Sequence, residues 1–363
     1  MKKLTGCILG LAILLLACKT LQPTPLAPTA TQPIIITSTS TTAPTPSSTA
    51  SPLPTATKII PTHTPRPTPP PITCSDDSCL NACLERINQA LSQVSYEPLG
   101  GAYSGDDIQL NLVFYDVKTG QLGEPQFLYV PDEFKAYQQD TVTQQEVWQY
   151  AFGLLPDAES DWLVGYEIFT SSYYAAWVRP GGSDSRDRAH WILGMDIVDS
   201  QDPVDLTYTL VHEYGHLITL NTDQIPASDF YYGWSQNPAV CKQFLSPDGC
   251  STPNSYINLF YQKFWKDIFP EWEKDVANAN TNSSDEYIAL VENFYKKHSD
   301  QFIREYAATN IHEDLAESFM HFVLEPEPSG YNVDSKKIRF FYNFPELVQF
   351  RKQMIQNICS YTQ

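Results

Sequence analysis

Aspartate and glutamate are absent from the first 75 residues, although the chain of 363 residues holds 42 of them. The first part of the chain is therefore a different material from the rest. Basic residues are scarce after it. Five of the 23 lysines and arginines (Lys2, Lys3, Lys19, Lys58 and Arg66) precede residue 74. Eighteen basic residues against 42 acidic ones leave 74–363 at a formal charge of −24. That balance excludes nucleic acid and anionic membrane surfaces as partners, because both would be repelled. It suits a solvated extracellular surface and favours basic or neutral substrates. No apolar run is long enough to cross a bilayer, the longest being Ile8 to Ala17. No internal repeat is visible, which excludes a repeat architecture.

What the first part contains points to export. Lys2 and Lys3 precede the short apolar run, the build of a secretory signal over 1–17. Leu15-Leu16-Ala17-Cys18 resembles a bacterial lipobox. The resemblance implies that Cys18 is lipidated and becomes the first mature residue. The protein would then be extracytoplasmic and lipid-anchored to the bacterial cell membrane, at the cell surface. The alternative is simple cleavage after Ala17 and a free soluble protein. Residues 18–73 would hold the lipidated cysteine and a linker. Fourteen of the chain's 28 prolines fall in 20–73, mixed with Thr, Ser and Ala. Nothing there can bury a core, so it reads as an extended, polyproline-like tether.

Six cysteines follow the signal and tether: Cys74, Cys79, Cys83, Cys241, Cys250 and Cys359. An even number in an exported chain indicates disulfides. Cys241 and Cys250 flank Pro247-Asp248-Gly249 and suit a local staple. The other four would tie an N-terminal helix to the C-terminal end, with their pairing open. None has metal-ligand spacing with a histidine.

The 290 or so residues from 74 onward are ample for a full core. The periodicity predicts a helix over 79–95, strands at 108–117 and 126–130 around the turn Thr119-Gly120, and a helix over 144–155. Strand-like runs follow at 162–170, 173–178 and 190–198. After residue 202 the pattern is mostly helical. Strands first and helices later define an α+β class, with an N-terminal α+β lobe over 74–202 and a helical lobe over 203–363.

The helical part opens with a chemical signature. Asp202-Pro203 reads as an N-cap with proline at the first helical position, and Asn221 as the C-terminal stop. The apolar stripe is Leu210, Val211, Tyr214, Leu217 and Ile218. His212 and His216 fall on the opposite face, one turn apart, beside Asp205, Thr209 and Thr219. Two imidazoles so spaced reach one metal ion, and Glu213 between them can act on a water. His212-Glu213-Tyr214-Gly215-His216 is thus an HExxH motif, for which zinc is the expected cofactor. Five letters recur by chance, and a solvated face with two histidines is the plain alternative. Gly215 costs about 1 kcal/mol in mid-helix relative to Ala, which close packing beside the metal would explain.

Two histidines need a third protein ligand. The extension HExxHxxGxxH is missing, since Thr219 and Thr222 occupy its last fixed positions. The best source is the helix predicted over 310–324. Its apolar stripe is Leu315, Phe319, Phe322 and Val323, with Glu313, Glu317 and His321 on the other face. On spacing alone either Glu313 or Glu317 could be the ligand. His312 points into the apolar arc and reads as structural. His321 reads as structural or as a helper of the site.

The segment Tyr306-Ala307-Ala308-Thr309-Asn310-Ile311-His312-Glu313-Asp314-Leu315-Ala316-Glu317-Ser318-Phe319 resembles the C-terminal zinc segment of gluzincins related to anthrax lethal factor and the Pro-Pro endopeptidases. There a tyrosine stands seven residues before the ligand glutamate, and Ala-Glu-x-Phe follows. Tyr214-Gly215 matches the aromatic-glycine pair inside that family's HExxH helix. The resemblance implies a zincin-like, two-lobed domain with a mixed sheet. It implies His212, His216 and Glu313 as Zn²⁺ ligands, Glu213 and Tyr306 as catalytic residues and Glu317 as the carboxylate orienting a ligand histidine. It also implies a zinc endopeptidase acting on proteins or peptides, whose substrate backbone pairs with the strand before the motif helix, here Trp191 to Val198. Gly194 would allow its close approach. Only two segments carry the resemblance, with 96 residues between Leu217 and His312.

Other readings differ in class. One is a non-catalytic surface lipoprotein that binds a peptide or cell-wall ligand around a structural zinc. Another is a metal-dependent hydrolase acting on something other than protein. The run Tyr256 to Trp272, rich in aromatics, reads as core or as the lining of a cleft.

Overall fold

The computed structural model describes residues 16–17, 74, 77–91, 109–156, 161–181, 188–281 and 283–361. The chain divides into two units, Met1–Pro23 with Thr68–Gln363 and Thr24–Pro67, and every described residue belongs to the first. The expected signal and tether therefore lie outside the described residues, apart from Leu16–Ala17. The class is mixed α and β with a mixed sheet. No helix among the described residues is long and apolar enough to cross a membrane.

A two-residue strand, β1 (Leu16–Ala17), is followed by helix α1 (Asp77–Leu91). Strand β2 (Leu110–Lys118) turns at Thr119 and Gly120, with φ of 47° and 74°, into β3 (Gln121–Leu122). Two successive left-handed residues match the twist of a tight hairpin. A side chain at Gly120 would meet the Phe152 ring at 2.2 Å, so glycine is required there twice over. The run expected to pair with β2 across this turn does so, β4 (Gln126–Phe127) lying antiparallel to it at Val113 and Phe114. Helices α2 (Lys135–Gln139) and α3 (Thr141–Leu154) come next, the latter capped by Asp140, which accepts from the Thr143 N–H. Strands β5 (Leu163–Thr170), β6 (Ala176–Pro180) and β7 (Trp191–Asp196) complete the sheet.

The sheet order is β1-β6-β7-β5-β2-β3, with β4 also on β2. β5 and β7 are parallel and the other pairs antiparallel. Side chains alternate between two buried faces, as the period of two demands. Tyr166, Ile168, Ala176, Val178, Trp191, Leu193 and Met195 enter the main core. Phe169, Trp177 and Ile192 form a smaller cluster on the other face with Tyr174 and Phe114. Burial on both faces explains why these strands are apolar almost throughout.

One expectation is overturned here. β7, which precedes the motif helix, is an interior strand hydrogen-bonded on both sides, to β5 and β6. It has no free edge for a substrate. Gly194 is small because the Trp177 indole lies across it, 2.3 Å from where a Cβ would stand.

Helix α4 (Pro203–Leu220) follows, and then a loop carrying β8 (Leu245–Ser246) and β9 (Gly249–Cys250). Helices α5 (Tyr256–Phe260), α6 (Phe269–Trp272) and α7 (Ser284–Lys297) lead to α8 (Ile311–Leu324), α9 (Val333–Phe341) and α10 (Pro345–Tyr361). The aromatic run over 256–272 is core: Phe260, Trp265, Phe269 and Trp272 are buried. π-helical turns at Tyr261–Trp265 and Glu273–Ala277 widen it locally. Three disulfides close among the described residues. Cys241–Cys250 is the expected local staple, and Cys83–Cys359 joins α1 to α10. Cys74–Cys79 is local, so of the two pairs formed by the other four cysteines one does not reach the C-terminal end.

Candidate metal centre

α4 starts as the sequence predicts. The Asp202 carboxylate accepts from the N–H groups of Val204 and Asp205, with Pro203 in the first turn. Its apolar stripe faces the core, and the Tyr214 hydroxyl donates to the Ala151 carbonyl of α3 at 2.5 Å. The face with the histidines reads as polar and turned away from the core, with a solvated face as the plain alternative, and it is buried. His212, Glu213, His216 and Thr219 are all fully inaccessible. The cause is α8, whose own polar face packs against it. Two helices with ligand-type residues on their fronts cover each other, and each keeps an apolar back for the core. On α8 that back is Phe319 and Phe322, which pack on Phe341 of α9, with Phe319 also on Phe350 of α10.

Gly215 sets the separation of the two helices. A Cβ there would stand 3.1 Å from the Ala316 Cα and 3.2 Å from the Phe319 ring. α8 is aligned at its start by Asn310, whose side chain accepts from the N–H groups of His312 and Glu313. Packing and cap together bring Glu313 to the histidines.

The Nε2 atoms of His212 and His216 lie 3.1 Å apart. Glu313 Oε2 is 3.1 Å from the first and 3.4 Å from the second. Ligand atoms about 2.0–2.1 Å from one tetrahedral ion stand about 3.3 Å from each other, so the triangle has the right edges. All three residues are fully buried, and Glu313 Oε1 and His216 Nδ1 have no hydrogen-bond partner. Lone pairs crowded together in a dry interior need a cation to be stable. His212, His216 and Glu313 could hold a metal ion.

The ambiguity between the two glutamates is resolved by which nitrogen each one faces. Glu317 Oε1 is 2.7 Å from His212 Nδ1, the nitrogen turned away from the cluster. A proton held at Nδ1 by that carboxylate leaves the Nε2 lone pair for a metal. Glu313 is thus in the cluster and Glu317 supports it.

The charges follow the same geometry. Burial works against the protonated His212 ring, but hydrogen bonds to Glu313 and Glu317 outweigh it and raise its pKa to about 10. His216 is lowered, chiefly by burial. Burial also opposes ionisation of Glu313, yet the neighbouring imidazoles hold it down at about 2. In Glu317 burial is outweighed by the Arg304 charge and by hydrogen bonds, so its carboxyl lies well below the usual range. The metal-free cluster is therefore two carboxylates around one extra proton, which a cation would replace.

The other predicted residues fall as follows. Glu213 is buried on the same turn of α4 as the two histidines. Tyr306 lies in the 3₁₀ turn Glu305–Ala308 just before α8, its ring centroid 5.8 Å from that of His212. His312 is buried away from the cluster, against Trp234 at 4.9 Å, with Nε2 3.4 Å from the Ser246 hydroxyl. Burial, with the His216 and Arg188 charges, lowers it to about 3, which fits its structural reading. His321 bonds Glu325 at 2.7 Å and takes no part in the cluster.

Sequence reasoning missed four participants. Arg304 grips Glu317 with two guanidinium nitrogens. The Tyr208 hydroxyl donates to Glu317 Oε2 at 3.4 Å. Lys337 and Trp265 hold Asp314, the neighbour of Glu313, at 2.5 and 2.7 Å. The only signal for Arg304 was that it is the one lysine or arginine between Lys297 and Lys336, a stretch with eight acidic residues.

Comparison with family models, curated proteins and solved structures finds no match.

Proposed function

We propose that the chain is a zinc-dependent endopeptidase of gluzincin type with a zincin-like domain, anchored at the cell surface by Cys18 and a Pro/Thr-rich tether. The observation that carries this reading is the donor set. Two imidazoles and one carboxylate make three protein ligands, the number of a catalytic zinc that keeps a position open. A closed structural site takes four, and no fourth such residue joins the group among the described residues. That favours the enzyme over a binding lipoprotein with structural zinc.

His212, His216 and Glu313 would hold the ion. When bound, it supplies Lewis acidity that polarises a carbonyl and makes water a nucleophile near neutral pH. Glu213 then accepts a proton from the attacking water and returns it to the leaving amine. Tyr306 donates a hydrogen bond to the oxygen on which negative charge develops. Glu317 keeps the His212 ring turned so that Nε2 faces the ion. On this reading the peptide-binding edge would be that of β6, the strand beside the interior β7. β6 carries β1 antiparallel on its outer edge, Leu16 opposite Val178 and Ala17 opposite Trp177, and removal of the 1–17 signal on this reading would free that edge. An extended substrate would add to the sheet in the same way.

The test is Glu213→Gln. The full chain should cleave members of a peptide library in a chelator-sensitive manner. The variant should bind zinc as the parent does and cleave at least 10³-fold more slowly, within the range of a lost general base. Undiminished cleavage by the variant would sink the mechanism.

A further inference from the structure

Arg304 stands where the two halves of the candidate site meet. Its Nη2 donates to Glu317 Oε1 at 2.7 Å and its Nε donates to Glu317 Oε2, a two-pronged grip on one carboxylate. The same carboxylate reaches His212 Nδ1 at 2.7 Å. The guanidinium carbon also lies 5.2 Å from the Tyr306 ring centroid and 5.5 Å from that of Tyr208. Tyr208 belongs to α4 and Glu317 to α8, while Arg304 and Tyr306 belong to the segment that leads into α8. One planar cation thus touches all three segments that build the site.

We propose that Arg304 is a positioning residue that fixes the metal side and the tyrosine side of the site in one register, through Glu317 and through the Tyr306 ring. The inference rests on the metallopeptidase reading for the metal, though not for the substrate. Glu317 is fully buried, and the Arg304 side chain is 22 % exposed. A rigid fork matched to a carboxylate allows little rotation of that carboxylate. Glu317 in turn sets the rotation of the His212 ring, and so the direction of the Nε2 lone pair. The Tyr306 ring packs on the guanidinium and on His212 together. A lysine would keep the charge and lose the fork. A methionine would keep the bulk and lose both.

A plain structural ion pair would stabilise the fold without affecting the metal, and the measurement separates the two. The full chain, Arg304→Met, Arg304→Lys, Glu317→Gln and the double variant Arg304→Met/Glu317→Gln are titrated with Zn²⁺ against a chromophoric chelator. The visible spectrum of the Co²⁺ form reports ligand geometry, and thermal unfolding without metal is followed in parallel. Arg304→Met should weaken zinc about 10–100-fold and shift the Co²⁺ bands, the usual penalty for losing a partner of a ligating histidine. Arg304→Lys should fall between parent and Arg304→Met. The double variant should be no weaker than Glu317→Gln by more than about 3-fold, because Arg304 acts through that carboxylate. Zinc affinity of either arginine variant within about 2-fold of the parent overturns the proposal, and Arg304→Lys decides it should Arg304→Met fail to fold. Losses that multiply in the double variant also overturn it. A parent chain that binds no zinc overturns the metal reading with it. A parent that binds zinc but cleaves no peptide removes only the peptidase reading, and the affinity pattern still decides the role of Arg304.

Discussion

Replacing Lys337 by methionine should cost the fold about 3–5 kcal/mol near pH 8, the range for removing one partner of a buried ion pair. The Lys337 and Asp314 side chains are fully inaccessible, with Nζ 2.5 Å from Oδ2. The Trp265 N–H donates to the same oxygen at 2.7 Å, and Nζ also reaches the Gln301 carbonyl and the face of Phe302. Methionine fills the same volume among these aromatic rings, so the loss is electrostatic and not a cavity. Burial raises the Asp314 carboxyl to about 6 even with the lysine beside it. Without the lysine it rises further. A carboxyl whose folded pKa exceeds its unfolded value takes up a proton on folding, and each unit of that gap costs about 1.4 kcal/mol once the pH is above both values. At pH 5 the variant would already be protonated there, and most of the cost disappears. The assay is urea unfolding of parent and Lys337→Met, metal-free, at pH 8 and pH 5. A loss below about 1 kcal/mol at pH 8, or an equal loss at both pH values, would refute the account of Asp314 as a buried charge that needs its cation.

The helix contact at Gly215 predicts that Gly215→Val destabilises the protein by about 2–3 kcal/mol in urea melts, since backbone lies 3.1 Å from the added carbon. Gly215→Ala should lose much less, because better helix propensity offsets about 1 kcal/mol of strain; equal stability of parent and Gly215→Val would contradict the close packing. In the metal-free protein His212 keeps its proton up to about 10, so zinc binding near pH 7.5 should release about one proton. Calorimetry in two buffers of different ionisation heat reads that number, and zero release would contradict the charge pattern. The sign also follows for stability without metal. His212 is raised, so its contribution is complete below about 6.5 and lost as pH climbs through about 10. Glu313 is depressed, so its contribution is present above about 4.5 and lost as pH falls towards 2. Thermal melts across that range should show a plateau between the two limits.

Local signals carried the parts of this molecule that local chemistry decides. Asp202-Pro203 marked the start of α4, and the stripe from Leu210 to Ile218 gave its inward face. The α8 stripe did the same within the helix predicted over 310–324. What stayed hidden depended on which surface meets which. His212 and His216 read as facing away from the core because a helix wheel knows one core only; the second helix that buries them comes about 100 residues later. Lys337 looks in sequence like any lysine on an amphipathic helix, and only the Asp314 carboxylate makes its burial possible. β7 could not be known as interior, since an apolar strand with both neighbours paired has the same composition as an edge strand under a helix. The choice between Glu313 and Glu317 was open on spacing, because both share a face; it closed on the nitrogen that each one meets.

The Cys83–Cys359 bond spans 276 residues of sequence and so encloses nearly the whole folded domain in one covalent ring. A chain closed in this way tolerates being nicked. One hydrolysed peptide bond anywhere between the two cysteines opens the ring but leaves both pieces on the same molecule. The His212–His216 helix and the Glu313 helix would then stay at high effective concentration to each other, whichever surface loop a neighbouring protease happens to cut.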